Sequence, residues 1–141
     1  MKRKKLLIGV NILLLIWFFL DMIGVTFDNK VLVSRAWRDD GIFFVIYIVA
    51  IVWFLVKERS GKFVLTTWLS MWFATQLYSH WYFTIFGPWE GKIRYFADTV
   101  KLIPSTTVYI PDLYHIVLHI LILIALYSTM IYSVKSCKES A

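Results

Sequence analysis

Long apolar runs alternate with short polar clusters along the chain, and four runs approach the roughly 20 residues an α-helix needs to cross about 30 Å of hydrocarbon. They cover about residues 6–27, 41–56, 63–86 and 112–134. The second is the shortest, which draws Asp40 and Lys57 toward the interfaces by snorkelling. Only a tight 57–62 turn separates the second run from the third, so sequence neighbours are expected to pack antiparallel. The pattern predicts an all-α integral membrane protein: a single transmembrane domain over residues 1–141, folded as a four-helix transmembrane bundle.

The connection over 87–111 has a different period. Ile93, Phe96, Ala97, Val100 and Ile103 recur at helical spacing, whereas Lys92, Arg94, Asp98 and Lys101 fall largely elsewhere on the wheel. This predicts an amphipathic interfacial helix over about 90–103 between helices 3 and 4, introduced by Gly87-Pro88 and stopped by Pro104. Such a segment either closes as a lid or simply bridges two helices while anchored in headgroups. Trp37, in the 28–40 loop, is expected to anchor in the same way.

Composition agrees with the pattern. Hydrophobic residues make up 60% of the chain and aromatics 18%, with a mean hydropathy of +0.69, more apolar surface than a soluble domain of this size can bury. The net charge of +6 comes from basic residues that flank apolar runs, which fits orientation in a membrane and anionic headgroups and leaves no basic face for nucleic acid. The basic start Met1-Lys2-Arg3-Lys4-Lys5 resembles a signal peptide, but Asp21-Met22-Ile23-Gly24-Val25 offers no small-residue cleavage site, so an uncleaved first helix is expected. Nine Lys/Arg, the 135–138 tail included, fall on the side of the termini against six in the opposite loops, which predicts cytoplasmic N- and C-termini. Lysine- and isoleucine-rich usage with short loops points to a bacterial cytoplasmic membrane. The lone Cys137 precludes an internal disulfide and argues against thiol-redox chemistry; there is no P-loop, dinucleotide turn, paired-Cys motif, H-E-x-x-H or internal repeat.

Candidate chemistry rests on the ionisable residues inside the spans, each costly in hydrocarbon. Asp21 lies on the first helix, His80 on the third, and Asp112, His115 and His119 on the fourth; all belong to one layer, on the order of 5 to 15 Å below the outer interface. Asp112, His115 and His119, at i, i+3 and i+7, form one stripe, and Trp72, Gln76, Ser79, His80 and Phe83 form another that can oppose it. Converging imidazoles and a carboxylate suit a divalent metal such as zinc, copper or iron, with His80, His115 and His119 as ligands. The same set suits acid–base chemistry with Asp21, His80 and His119 as the catalytic groups, and Trp72, Gln76, Asp112 and Tyr114 as ligand contacts. Each residue also has a structural explanation: Asp112 as a helix cap, His115 reaching headgroups, His80 and His119 in interhelical hydrogen bonds, Asp21 paired with Arg35 or Arg38, and Asn11, Ser70, Thr75, Gln76 and Ser128 in helix packing.

The reading that follows is an outward-facing His/Asp pocket that handles a lipid-soluble or interfacial ligand or substrate, as a metal-dependent or acid–base membrane enzyme. The alternatives are a non-catalytic ligand-binding or accessory subunit and a small proton-coupled transporter using Asp21. The inner halves of the helices offer Asn11, Ser70, Ser128 and Thr129 but no ionisable group, which counts against transport. Expected partners are membrane lipids, a hydrophobic small molecule or a membrane protein, and further copies of the chain as a homo-oligomer.

Overall fold

The computed structural model describes residues 2–87 and 89–139, and the side chains of all of these except 138 and 139. Met1, Pro88 and the side chain of Lys138, used above for the basic start, the helix entry and the basic tail, lie outside the described residues. In chain order the elements are α1 (Lys2–Ile23), β1 (Val25–Phe27), β2 (Lys30–Val33), α2 (Trp37–Val56), α3 (Glu58–Gln76), a π-helical turn (Leu77–Trp81), α4 (Tyr82–Phe86), α5 (Glu90–Tyr95) and α6 (Leu113–Glu139).

Among the described residues, three helices are long and apolar enough to cross a membrane: Lys2–Ile23, Trp37–Val56 and Leu113–Cys137. The chain is accordingly a mostly helical membrane protein. The run expected at 63–86 is helical as well, but the π turn divides it, and Glu58, Arg59 and Lys62 at its head make it less apolar than the other three.

The first helix is shorter than its apolar run. Gly24, at φ +73°, ends α1 with its N–H donated to the Leu20 carbonyl at 2.8 Å. A side chain there would meet Arg35 at 3.0 Å. Val25–Phe27 then pairs antiparallel with Lys30–Val33 across Asp28-Asn29, with Asp28 at φ +51°. This hairpin replaces a plain loop, and β-branched residues on both sides of an Asp-Asn turn are its cause.

The interfacial helix expected over about 90–103 stops at Tyr95. Beyond it the chain bends over the hairpin: Val31 N–H donates to the Asp98 carbonyl at 3.0 Å, and Val100 N–H to the Val31 carbonyl at 2.9 Å. The free edge of β2 takes these bonds, which a continued helix would have kept to itself. Ala97 and Ile103, expected on its apolar stripe, are exposed.

Leu7, Leu14 and Phe18 of α1, Tyr47 and Phe54 of α2, Leu65, Leu69 and Trp72 of α3, and Leu118, Ile122 and Ala125 of α6 form the buried core. One polar knot crosses it. The Tyr47 hydroxyl donates to Asn11 Oδ1 at 2.8 Å, while Asn11 Nδ2 donates to the Leu7 carbonyl at 2.9 Å and to Thr129 Oγ1 at 3.5 Å. Gly61 brings α3 onto α2 beside their single-residue link; a Cβ there would lie 2.3 Å from Phe54 Cα.

Candidate functional site

The end of α1 and the start of α2 are held together by the backbone, Ala36 N–H donating to the Asp21 carbonyl at 2.9 Å. This places Asp40, in the first turn of α2, opposite Asp21, and the two carboxyl groups come within hydrogen-bonding reach of each other. Asp21 is only 6% exposed. The ion pair considered for it does not form: Arg35 and Arg38 instead lie against the Trp37 ring, 6.0 and 5.3 Å from its centroid. Among the described residues neither carboxyl has a cationic partner within ion-pair distance.

At the head of α6, Asp112 Oδ1 accepts the His115 backbone N–H at 3.0 Å and its ring Nδ1–H at 2.7 Å. One carboxylate oxygen thus caps the helix and also sets the imidazole tautomer, leaving His115 Nε2 as the basic nitrogen. The other oxygen, Oδ2, is buried without a hydrogen-bond partner among the described residues.

The facing wall comes from the π turn. An i→i+5 turn lets residues five apart share a face, and Gln76 and Trp81 both reach the His119 ring. Trp81 Nε1–H donates to His119 Nδ1 at 2.9 Å, so Nε2 carries the proton and donates to Gln76 Oε1 at 3.0 Å. His80, in the same turn, is bonded through Nδ1 to the Tyr109 hydroxyl. The three imidazoles meet: ring centroids lie 4.2 Å apart for His80–His115, 5.3 Å for His80–His119 and 6.3 Å for His115–His119.

The metal expectation finds no ligand set here. Both nitrogens of His119 are engaged, and among the described residues no group of three or more His, Cys, Asp or Glu is arranged to hold an ion. His119 is held as a neutral structural imidazole, which also counts against its expected catalytic role.

A cavity of about 340 Å³ opens between these walls. Asp21 and Asp40 line it from α1 and α2, His80 from the π turn, Lys92 from α5 and His115 from α6, together with Gln76, Trp72 and Tyr114. Lys92 comes from the 87–111 connection; its ammonium donates to the Ser79 carbonyl and sits 4.6 Å from the Phe83 ring centroid and 5.1 Å from that of Tyr109. Burial pushes the Lys92 ammonium below the ordinary lysine range and the Tyr109 hydroxyl above its own, the latter helped by Asp112. Tyr114 stacks on Trp17 at 5.5 Å, which fixes its ring in the wall.

Asp21, Trp72, Gln76, His80, Tyr114 and His115 therefore share one cavity, while Asp112 and His119 stand behind it. Sequence reasoning did not single out Asp40, Lys92 or Tyr109. For Asp40 the signal was present, a carboxylate in the first turn of the helix that starts where α1 ends. No family model matches this chain, and neither the curated proteins nor the solved structures contain a significant match.

Proposed function

We propose that the chain is a four-helix membrane protein that carries out acid–base chemistry on an amphiphile admitted from the outer-leaflet interface. The carrying observation is the Asp112–His115 pair, with His115 in the cavity wall opposite the Asp21/Asp40 carboxyl pair. His115 Nε2 takes a proton from an attacking water or substrate hydroxyl, and the Asp112 carboxylate stabilises the imidazolium that forms. Two carboxyl groups in contact share a proton more readily than both ionise, so the opposite wall returns a proton to the other end of the reacting group.

The fourth crossing is supported by the course of α3. It leaves α2 after one residue, sets Gly61 on Phe54, packs Trp72 on Tyr47 with ring centroids 5.3 Å apart, and reaches the cavity at Gln76 and His80. Whatever thickness α2 crosses, the 58–86 run retraces. Nine of the fifteen Lys/Arg at the end bearing the termini favour cytoplasmic N- and C-termini, and a bacterial cytoplasmic membrane suits the composition.

The test is to incubate nanodisc-reconstituted protein with a total membrane lipid extract and follow conversion by mass spectrometry beside His115→Gln. A lipid species consumed by the wild type and spared by the variant supports catalysis. Identical lipid profiles for protein-free, wild-type and variant discs would refute it and leave a binding protein.

A further inference from the structure

The polar groups of the cavity are ordered by charge. Asp21 and Asp40 occupy the α1/α2 side; His115 is close enough to interact electrostatically with Asp40 and with His80, and His80 in turn with Lys92 on the far side. The cavity therefore has an anionic pole and a cationic pole, with neutral, hydrogen-bonding groups between them. Among the described residues, Asp21, nine-tenths buried, faces another carboxyl and pairs with no cation, and Lys92 meets a carbonyl and aromatic faces but pairs with no carboxylate.

Rings complete the anionic pole. Phe18, Phe43, Trp72 and Tyr114 line the cavity with the two carboxyls, and Phe18 and Trp72 pack with centroids 4.6 Å apart. Carboxylates framed by aromatic faces recognise ammonium groups. At the other pole a lysine that has given up much of its hydration to aromatic faces is suited to recover that loss from a phosphate.

We propose that the cavity binds a zwitterionic ammonium–phosphate group, with its amine at Asp21/Asp40 and its phosphate at Lys92. This rests on the acid–base reading of the same cavity and names the substrate class for it. A volume of about 340 Å³ lies at the small end for ligand pockets, enough for a headgroup but not for the acyl chains, which remain in the bilayer. A free phosphoethanolamine presents the same chemistry as a phosphatidylethanolamine headgroup, and the two sources are separable.

The experiment is native mass spectrometry of lipid retention from mixed micelles containing equal phosphatidylethanolamine, phosphatidylglycerol and a cationic dialkyl-trimethylammonium lipid. Wild type, Asp21→Asn/Asp40→Asn and Lys92→Gln are compared, each checked for helicity and monodispersity. The expected result is about tenfold preference for phosphatidylethanolamine in the wild type, corresponding to about 1.4 kcal/mol. The double variant should shift toward phosphatidylglycerol and Lys92→Gln toward the cationic lipid. Displacement by millimolar phosphoethanolamine would identify the soluble form as a ligand; retention against it would identify the lipid. Equal retention of all three lipids by the wild type, or a preference unmoved by both variants, would overturn the proposal. The wild type separates the two readings: headgroup preference without turnover leaves this assignment standing and removes catalysis, whereas turnover without preference does the reverse.

Discussion

The two ends of the bundle bury polar groups in opposite ways. Toward the termini, polar side chains meet complementary partners: Asn11 with Tyr47 and Thr129, Glu58 with Lys4 and Tyr132, Lys62 with Ser136. At the pocket end, among the described residues, a carboxyl faces a carboxyl, Asp112 keeps an oxygen without a partner, and Lys92 has no counter-ion. Polar groups buried for structure are satisfied, because an unpartnered one costs about 1–3 kcal/mol. A site keeps its frustrated groups because substrate binding relieves them.

The sharpest test of that contrast is His115→Gln, which retains a donor for Asp112 but removes the proton acceptor. Conversion of the lipid substrate should fall by about 100-fold or more, with the thermal midpoint in detergent nearly unchanged. Next comes the structural end. Gly61→Ala forces a methyl group into the Phe54 backbone and should cost at least about 1–3 kcal/mol in unfolding experiments, because neither helix can yield beside a one-residue link. A paired measurement then sets the two ends against each other: Asn11→Ala removes the Oδ1 acceptor and leaves the Tyr47 hydroxyl only the residue 11 backbone carbonyl at 3.1 Å, which should lower stability by about 0.5–1.5 kcal/mol, whereas Asp21→Asn removes one of two facing carboxyls and should leave the midpoint equal or higher while weakening headgroup preference. A large loss of stability in Asp21→Asn would show that the pocket-end carboxyls are structural, like the polar groups near the termini. The smallest effect belongs to Glu58→Gln, a half-exposed ion pair to Lys4, at about 0–1 kcal/mol and diminishing with salt.

The ionisable groups also give the pocket a pH signature. Burial holds the Lys92 ammonium below the ordinary lysine range, so its charge is lost as pH rises through that lowered value. Affinity for the phosphate pole should therefore decline at a lower alkaline pH than a surface lysine would dictate, as titration of lipid retention would show.

How much of this was legible in the sequence depended on which force decided each part. Hydrocarbon-crossing helices announce themselves by unbroken apolar length, and α1, α2 and α6 follow their runs to within a few residues. Asp21, His80 and His115 were legible for the complementary reason, since ionisable groups interrupting such runs are rare. The hairpin and the arrested α5 were not, because pairing between Val31 and Thr99 joins segments far apart in sequence. Local periodicity at Phe96 and Val100 pointed to a helix, and the bonding needs of the β2 edge prevailed. Nor does a π turn have a composition: Leu77–Trp81 reads as ordinary helix until Gln76 and Trp81 are seen on one imidazole. The tautomer fixed there, which turns His119 from a prospective ligand into a strut, follows from three-dimensional donors and acceptors alone.

The backbone contact at Gly61 has a mechanical consequence. Beside it α2 and α3 touch main chain to main chain, while further along they are held apart by the rings of Tyr47, Trp68 and Trp72. The pair is a wedge with its apex at the one-residue link and its open side at the cavity. Any rocking of α3 about that apex is magnified along the helix, so a displacement too small to disturb the core near Phe54 shifts Gln76 and His80 by several times as much. A glycine outside the cavity lining thus fixes where the two helices converge, and with it the lever arm on which Gln76 and His80 stand.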